Sequence, residues 1–426
     1  MGHLLGAPPR PANSSGNSVS VSSARDYATW VEVESLELDP PDPAAVTAFA
    51  IDQPRPGDRS RGLGLEVNGW VIGRDGPLQG IRVTNPGHQR ALYPLDVRRP
   101  DVAADYREDP HAVSSGFSAW APIDPGEHAW RIDVEGVVGS EGAVRIAQIR
   151  GRVTKQPHAP SPGNRAVAAP DFVIIGAQRS GTTSLHAYLS AHSQVATPVT
   201  KELHFLTDRF ERGLDWYLGQ FPAELSPGIV TGEATPYALF HPLAPTRLRD
   251  IAPAAQLIAL LRNPVDRAYS HYLLECSHGG ETLDFAAALD AEPGRLEGEE
   301  ARLARDPAYV SKSHKHASYM ARGDYARQLE RWLEVFPREQ ILVIRSEDLY
   351  EKTAETFALV AQFLGISPAA PIPFVAHNQT AGPPLNPAIR LELSRHFAPL
   401  NARLADLLGW DPGWDDAPGV CTPVIP

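Results

Sequence analysis

The stretch from Phe172 to Leu189 constrains the fold of this chain more than any other. Its sequence is FVIIGAQRSGTTSLHAYL. The four apolar residues at its start predict a buried strand, and Leu185 and Leu189 have the spacing of one helical face. The residues between them form a turn rich in glycine and hydroxyl groups. A strand, a loop and a helix in this order predict an α/β fold with a P-loop-like parallel sheet flanked by helices.

The loop in this stretch has the features of an anion-binding site. Gly176 and Gly181 let the main chain approach a ligand closely, and the helix that begins near Gly181 directs its free N–H groups at the loop. Arginine adds a fixed positive charge, and hydroxyl side chains add hydrogen-bond donors. We therefore expect a phosphate group to be bound by Gln178, Arg179, Ser180, Gly181, Thr182, Thr183 and Ser184.

The loop lacks one residue that nucleotide triphosphatases need. Their P-loop has a lysine where this chain has Thr182, and that lysine reaches the β- and γ-phosphates. Ordinary ATP or GTP hydrolysis is therefore disfavoured. A loop of this kind suits the 5′-phosphate of a nucleotide that transfers some other group. The alternative is a glycine loop that binds no ligand, as many α/β folds contain.

Three further motifs follow the loop in a fixed order. They are KELHF at 201–205, GLDWY at 213–217 and LRNPVDRAYS at 261–270. Together with the loop they resemble the PAPS-dependent sulfotransferases (PAPS is 3′-phosphoadenosine 5′-phosphosulfate), and most closely the heparan sulfate N- and 3-O-sulfotransferase branch. The resemblance covers residues 171 to about 408. It implies PAPS as co-substrate, PAP as product, a carbohydrate or glycosylated acceptor and no metal.

The resemblance also implies roles for residues near the transferred group. Glu202 corresponds to the general base that removes the proton of the acceptor. His204 is the rival base, because its pKa suits neutral pH and an extended segment would place it on the same side as Glu202. Arg179 stands where the heparan-type enzymes have lysine, which implies contact with the bridging oxygen and the 5′-phosphate. Lys201 would supply the second cation.

Arg262 and Ser270 match the residues that hold the 3′-phosphate in this family. The alternative for Arg262 is a structural salt bridge with Asp266. Glu233, at the end of another apolar run, would either bind the acceptor or cap the segment that follows. The stretch from His377 to Pro383 lacks the family's basic loop, which leaves the adenine-binding residues unassigned.

Composition limits the other possibilities. A net charge of −12 argues against a general nucleic-acid or anionic-membrane binder. Two cysteines, Cys276 and Cys421, do not make a disulfide framework, and no Cys/His spacing indicates a metal site. No run reaches the ~18 apolar residues of a membrane helix, and the N-terminal residues do not form a secretion signal. We expect a cytoplasmic protein of bacterial type, since alanine and proline are abundant and lysine is scarce.

The length of 426 residues predicts more than one domain. We expect a disordered N-terminus (1–27), an accessory all-β sandwich domain (28–155), a linker (156–170), the sulfotransferase domain (171–410) and a C-terminal tail (411–426). Removing residues 1–160 should then leave a folded domain. Trp70, Trp120 and Trp130 would either form a sugar-binding platform or, as is more common on alternating strands, belong to the core.

The sequence thus favours an enzyme that transfers a sulfuryl group from PAPS to a hydroxyl, or less readily an amine. The enzyme alternative is a nucleotide-dependent kinase, and the other is a glycan-binding protein that has lost catalysis. Lys312, His314, Lys315 and His316 form a basic group that would be solvated or would contact an acidic glycan, and the solvated interpretation is favoured.

Overall fold

A computed structural model of the protein describes residues 27–85, 91–123, 128–138, 142–157, 161–198, 200–368 and 382–414. The first part of the chain is built from nine strands: β1 (Tyr27–Leu38), β2 (Val46–Gln53), β3 (Arg59–Arg61), β4 (Gly64–Gly73), β5 (Gly80–Thr84), β6 (Ala91–Tyr93), β7 (Gly116–Pro122), β8 (Ala129–Val138) and β9 (Gly142–Pro157). They form two antiparallel sheets, with the orders β3-β1-β9-β8-β5-β6 and β2-β4-β7. A short helix, α1 (Pro100–Asp105), and a 3₁₀ turn (Ala112–Ser114) lie between β6 and β7.

Both sheets contribute side chains to one hydrophobic core. Val31 and Ile132 come from the larger sheet, and Val67 and Phe117 come from the smaller one. Alternate residues of β8 are buried, as expected for strands with one face against a core. The strands expected from the sequence are therefore present. Their assignment to an independent β-sandwich domain stays a prediction, and residues 1–26 of the expected disordered N-terminus lie outside the described residues.

The tryptophans of this region do not form a sugar-binding platform. Of the three tryptophans considered for the platform, Trp120 and Trp130 are 5% and 3% exposed. Trp70 is half-buried, with its ring 5.7 Å from that of Tyr106. The platform interpretation is wrong for Trp120 and Trp130 because neither ring is accessible to a ligand. The favoured assignment to the core describes both of them.

The expected linker contains structure in its second half. Strand β10 (Arg165–Ala166) pairs with β13 (Glu224–Leu225), and Val167 is buried in the core of the second part of the chain. Main-chain pairing across almost 60 residues anchors this segment, a contact that its Pro- and Gly-rich composition did not indicate. Residues 158–160 lie outside the described part of the chain.

The second part of the chain contains a five-stranded parallel sheet. Its strands are β11 (Phe172–Gly176), β12 (Val195–Ala196), β14 (Val230–Ala234), β15 (Gln256–Leu261) and β16 (Ile341–Arg345). Their order is β12-β14-β11-β15-β16, and each neighbouring pair is parallel. The sequence predictions of a P-loop-like parallel sheet and of the buried strand that begins at Phe172 are confirmed.

Helices and short turns connect the strands of this sheet. The helices are α2 (Thr182–Ser190), α3 (Gly213–Gly219), α4 (Ala244–Ile251), α5 (Pro264–Ser277), α6 (Phe285–Leu296), α7 (Glu299–Arg305), α8 (Lys312–His316), α9 (Tyr325–Leu333), α10 (Ser346–Glu351), α11 (Thr353–Phe363) and α12 (Pro387–Leu408). The 3₁₀ turns are Phe210–Arg212, Pro236–Leu239, Ala321–Gly323 and Arg338–Gln340.

Helices cover both faces of the parallel sheet. Val173 in β11 belongs to the same core as Leu248 of α4 and Trp332 of α9. The next residue, Ile174, belongs to a separate core with Leu185 of α2 and Phe357 of α11. Consecutive strand residues point to opposite faces, so the all-apolar run at 172–175 is explained by burial on both sides. This arrangement places the end of β11, and the loop after it, at the edge of the sheet where ligands bind in open α/β folds.

Candidate active site

The loop between β11 and α2 has the geometry of an anion cradle. Gly181 precedes the first residue of α2 and has φ of +89°, a conformation that glycine adopts at little cost. A Cβ at this position would lie 2.8 Å from the hydroxyl oxygen of Tyr350, so another residue would have to displace that side chain as well as adopt the left-handed conformation. The N-terminal N–H groups of α2 therefore face the loop without a side chain in the way, and they favour a negatively charged ligand.

The side chains of the loop differ in how accessible they are. Ser180, Thr182 and Ser184 are each less than 5% exposed, whereas Thr183 is half-buried. Of these four hydroxyl residues Thr183 is the most accessible from solvent, and the other three pack beneath the loop. Gln178 uses its side-chain oxygen to accept a hydrogen bond from the buried guanidinium of Arg322, which the sequence did not indicate.

Two arginines and a serine converge beside this loop. Arg179 has φ of +70°, and its Nε donates to Oγ of Ser270, which lies in α5, at 3.0 Å. Arg262, directly after β15, donates from Nη1 to the main-chain oxygen of Arg179 at 3.2 Å. Burial and the nearby charge of Arg262 lower the pKa of Arg179. The structure thus brings together Arg179, Arg262 and Ser270, and a bound anion would offset the repulsion between the two cations.

The salt-bridge alternative for Arg262 is wrong. Asp266 pairs with Arg390 of α12, and Arg262 turns instead toward the loop after β11. Asn263 caps α5 by accepting a hydrogen bond from the N–H of Val265 at 3.0 Å, as the Asn-Pro sequence predicts. Arg262 is therefore available at the carboxyl end of the sheet.

The segment that carries Lys201, Glu202 and His204 is curled. Glu202 and His204 have φ of +62° and +55°, which is uncommon for residues other than glycine. The N–H of Glu202 donates to the oxygen of Ala234 at 3.1 Å, and the N–H of His204 donates to Oγ1 of Thr235 at 3.3 Å. The expected extended conformation is wrong, because these bonds to the end of β14 impose a left-handed turn at alternate residues.

The side chains of this segment nevertheless meet. Lys201 Nζ pairs with one carboxylate oxygen of Glu202, and His204 Nε2 lies 3.6 Å from the other. Burial would raise the pKa of Glu202, but the contacts with His204 and Lys201 outweigh it and lower the pKa to about 2. Burial lowers the pKa of His204 in spite of the nearby carboxylate. Glu202 is therefore ionised at neutral pH, His204 is neutral, and the Glu202 side chain is 42% exposed to an incoming molecule.

Glu233 supports this segment from below. It is 1% exposed and accepts hydrogen bonds from the hydroxyl of Tyr217 at 3.1 Å and from that of Thr235 at 2.6 Å. Burial raises the pKa of its carboxyl group. Because Thr235 in turn accepts from His204, Glu233 fixes the residue that holds the Lys201–His204 segment. Neither acceptor binding nor helix capping, the two roles considered from the sequence, describes this position.

The basic group in α8 is only partly solvated. His314 is 2% exposed, with its ring 4.2 Å from that of Phe240 and its Nδ1 2.8 Å from the hydroxyl of Tyr237. Lys315 pairs with Asp208, and His316 lies 3.2 Å from the carboxylate of Glu275. Lys312 and His316 stay exposed, with 74% and 48% of their side chains accessible. The favoured solvated interpretation therefore describes these two residues and is wrong for His314 and Lys315, because burial and an ion pair with a distant segment remove them from solvent.

The loop after β11 and the Lys201–His204 segment lie next to each other. The negative charge of Glu202 acts on Arg179 and tends to raise the pKa of that arginine. Burial, followed by the charge of Lys201, lowers the pKa of His186 in α2 to about 4. Lys201 and Glu202 are thus within electrostatic reach of the loop after β11. Among the described residues, no group of three or more His, Cys, Asp or Glu side chains could hold a metal ion.

This arrangement agrees with comparisons with known proteins. Residues 169–378 match the family model described as a sulfotransferase domain. The chain is 27% identical to the mouse heparan sulfate glucosamine 3-O-sulfotransferase 6, over 63% of this chain and 79% of the relative. It is 31% identical to the human bifunctional heparan sulfate N-deacetylase/N-sulfotransferase 3, over 47% of this chain but only 22% of that protein. A sulfotransferase from Alicyclobacillus acidocaldarius of known crystal structure is 33% identical, with 58% of this chain and 99% of that chain covered and a TM-score of 0.48.

The parallel sheet, the lysine-free loop and the sequence matches define a sulfuryl-transfer enzyme. The chain belongs to the PAPS-dependent sulfotransferase family, and its relatives include the heparan sulfate N- and 3-O-sulfotransferases. Another relative, 26% identical over 63% of this chain and 72% of its own length, is the membrane-associated sulfotransferase kil1 of Dictyostelium discoideum. Within the described ranges of the present chain, no helix has both the length and the apolar character to cross a lipid bilayer.

Proposed function

We propose that this enzyme transfers the sulfuryl group of PAPS to a hydroxyl, in preference to an amine, of a carbohydrate or glycosylated metabolite. Glu202 serves as the general base. The relatives whose names specify heparan sulfate glucosamine support a carbohydrate acceptor. The exposed, ionised carboxylate of Glu202 beside the loop arginine supports proton removal at this position.

In this proposal the loop after β11 binds the 5′ end of the nucleotide. The N-terminus of α2 and Arg179 face the 5′-phosphate, and Arg262 with Ser270 holds the 3′-phosphate. The hydrogen bond from Arg179 Nε to Ser270 Oγ, 3.0 Å long, joins the two phosphate positions. The residues present fit a ligand with two separate anionic groups, since two arginines approach each other here. PAPS supplies the sulfuryl group and leaves as PAP.

The acceptor hydroxyl forms a bond to sulfur through its oxygen while its proton moves to a carboxylate oxygen of Glu202. The bond from sulfur to the bridging oxygen breaks, and its electron pair stays on the phosphate. Positive charges near that oxygen stabilise the developing charge. Arg179 is held at this position by its main chain and by Ser270. A positioned general base contributes roughly 10²- to 10⁴-fold in rate.

Lys201 connects the two sides of the reaction. It pairs with Glu202. When its ammonium group turns toward the sulfuryl oxygens, it leaves Glu202 with one positive neighbour fewer, which raises the pKa of the carboxyl group and makes it a stronger base. His204, kept neutral by burial, holds the second carboxylate oxygen and fixes the direction of the first.

The observation that carries the proposal is the position of Arg262 and Ser270 beside a loop with Thr182 in place of a P-loop lysine. A second phosphate site distinguishes a 3′-phosphorylated nucleotide from ADP or ATP. Calorimetry of the purified protein at modest salt should show PAP bound at least about ten-fold more tightly than ADP, a difference of about 1.4 kcal/mol.

The transfer reaction itself is tested by incubating the protein with isotopically labelled PAPS and cell extract, followed by mass spectrometry of the sulfated products. Equal affinity for PAP and ADP would overturn the nucleotide assignment. Mg²⁺-dependent turnover of ATP would support a kinase in its place.

A further inference from the structure

Arg212 lies between two tryptophan rings that come from different parts of the chain. Its guanidinium carbon is 4.5 Å from the ring centroid of Trp120 in β7 and 4.7 Å from that of Trp216 in α3. Its Nη1 donates to a carboxylate oxygen of Glu66 in β4 at 3.3 Å. The Arg212 side chain is 6% exposed. Trp120, Arg212, Trp216 and Glu66 form what we call the tryptophan–arginine cluster.

This cluster is continuous with the catalytic segment through aromatic contacts. The Trp216 ring lies 6.2 Å from that of Trp120 and 6.3 Å from that of Phe205. Phe205 follows His204 directly and stacks on Tyr217, with ring centroids 4.3 Å apart and an angle of 11°. Tyr217 donates to Glu233, which supports Thr235 and through it His204. A buried tryptophan of the N-terminal strands thus belongs to the same packing unit as the catalytic residues.

The main chain connects the cluster to the catalytic segment as well. The N–H groups of Asp208 and Arg209 both donate to the oxygen of His204 at 3.0 Å, and the N–H of Arg212 donates to the oxygen of Arg209 at 3.1 Å. Residues 204–212 therefore form one tight turn. Thr235 holds its first residue and the tryptophan–arginine cluster holds its last.

Such support is needed because of the conformation of this segment. Left-handed φ values at Glu202 and His204 persist only where the surrounding structure determines them. Glutamate has no local preference for this conformation and histidine only a modest one, so the sequence alone does not specify this turn. The contacts that hold it come from β7, α3 and the end of β14.

We propose that the N-terminal strands serve the reaction by positioning the Lys201–His204 segment, with Trp120 and Arg212 as positioning residues. The kinetic part of its test rests on the proposed role of Glu202, and the structural part does not. This role replaces that of a detachable accessory domain. Removing residues 1–160 would take away Trp120 and Glu66 together and would expose Arg212, Trp216 and the core around them.

The chain offers a matched control for Trp120. Trp130 is also nearly fully buried, and both indole N–H groups are buried without a hydrogen-bond partner among the described residues. Each ring packs over a glycine of a neighbouring strand, Gly64 for Trp120 and Gly151 for Trp130. Trp120 belongs to the core of the parallel sheet, whereas Trp130 belongs only to that of the N-terminal strands. Replacing either ring by leucine leaves a similar cavity.

We expect Trp120→Leu and Trp130→Leu to lower the melting temperature by similar amounts. Only Trp120→Leu should lower kcat at saturating PAPS, by about ten-fold or more, because a shift of about 1 Å in a catalytic group can cost ~10²-fold. The Kd for PAP should change by less than about two-fold in both variants, since the loop after β11 keeps its contacts. Equal losses of kcat in the two variants, or none in either, would overturn the proposal.

Hydrogen–deuterium exchange provides a readout that does not depend on catalysis. Peptides covering residues 201–212 should exchange faster in Trp120→Leu than in Trp130→Leu, while those covering 172–185 should exchange equally. Unchanged exchange at 201–212 would overturn the proposal even if activity falls. Should Glu202→Gln retain full activity, the role of Glu202 fails, and the exchange result still decides whether the strands position this segment.

A milder variant covers the case in which Trp120→Leu does not fold. Arg212→Lys keeps the positive charge but loses the planar group that lies between the two rings. It should lower kcat several-fold, leave the Kd for PAP unchanged and raise exchange at 201–212. Wild-type kcat and wild-type exchange in this variant would contradict the positioning role.

Discussion

The part of the site proposed to bind the sulfuryl donor (the donor side) and the part proposed to bind the acceptor (the acceptor side) are built in different ways. The donor side consists of the loop at 176–183 with Arg262 and Ser270, and its position follows from the ends of two neighbouring parallel strands. The acceptor side consists of residues 201–208, and side chains from separate segments hold it, among them Thr235, Lys315 and, through the aromatic cluster, Trp120. Nucleotide binding should therefore tolerate damage that abolishes transfer.

The comparison also distinguishes two kinds of charge. Arg179 and Arg262 lie close together, and the repulsion between these two positive charges favours an anionic ligand. On the acceptor side each charge already has a partner, as in the Lys201–Glu202 and Lys315–Asp208 pairs. Binding of an anionic ligand should therefore stabilise the charges of the donor side. On the acceptor side, a ligand must replace ion pairs that are already formed.

The largest effect should come from Glu202→Gln. We expect kcat to fall by at least about 10²-fold, because glutamine cannot accept the proton of the acceptor, while the Kd for PAP stays the same. Steady-state kinetics and calorimetry measure the two quantities. Glu330→Gln in α9, where the carboxylate pairs with Arg403 at the surface, is the control and should behave as wild type. Near-normal activity of Glu202→Gln would transfer the role of base to His204.

Arg262→Ala, on the donor side, should have the opposite effect to Glu202→Gln and weaken nucleotide binding. A hydrogen bond to a charged group contributes about 1.5–3 kcal/mol, so affinity for PAP should fall by roughly 10- to 100-fold. Affinity for adenosine 5′-phosphosulfate, which lacks the 3′-phosphate, should fall far less. Arg390→Ala removes an arginine that pairs with Asp266 on the same helix α5 and serves as control. Equal losses for both nucleotides would exclude Arg262 from the 3′-phosphate site.

The smallest effect concerns pH and the acceptor side. Burial lowers the pKa of His241 to about 3 and that of His314 to about 2, well below the ordinary histidine value of about 6.5. A depressed histidine pKa contributes stability that is complete above pH 6.5 and is lost as the pH falls below that value. Each such group accounts for at most ~1.4 kcal/mol per pH unit. The melting temperature should therefore be constant from pH 8 to 6.5 and should fall below it.

His314→Gln should make the free energy of unfolding depend less steeply on pH, because one histidine fewer takes up a proton on unfolding. The window between about pH 6.5 and 5.5 is suited to the measurement, because carboxylates with ordinary or lowered pKa values stay mostly ionised there. Because His314 supports Tyr237 and the ring of Phe240, kcat should decline with stability while PAP binding persists longer. A fall of kcat centred below pH 6.5 with a constant melting temperature would instead indicate titration of the catalytic base, and would favour His204, whose pKa is lowered by burial.

The donor side could be predicted from the sequence because its signals are local. An apolar run predicts β11, a glycine at the start of a helix predicts the cradle, and Arg262 follows another apolar run directly. Even here the environment of individual side chains was not predictable. Ser184 lies beneath the loop and Gln178 accepts from Arg322, because burial and long-range pairing depend on the whole fold.

The acceptor side could be predicted only in its residue types. Glu202 was identified by family resemblance, and His204 by its pKa and its spacing from Glu202. Their conformation was expected to be extended and is left-handed at both positions. The sequence shows no glycine there, and the bonds to Ala234 and Thr235 that impose the turn come from residues some thirty positions away. The burial of His314 against Phe240 and the contact of Trp120 with Trp216 are equally non-local.

One position without a side chain limits how the two parts of this protein can be recombined. Gly62, between β3 and β4, has φ of +103°, and a Cβ there would lie 2.7 Å from the main-chain nitrogen of Trp216. A chimaera that grafts the parallel-sheet region onto foreign strands should therefore keep a glycine at the turn between β3 and β4, because any side chain there would collide with the main chain of α3.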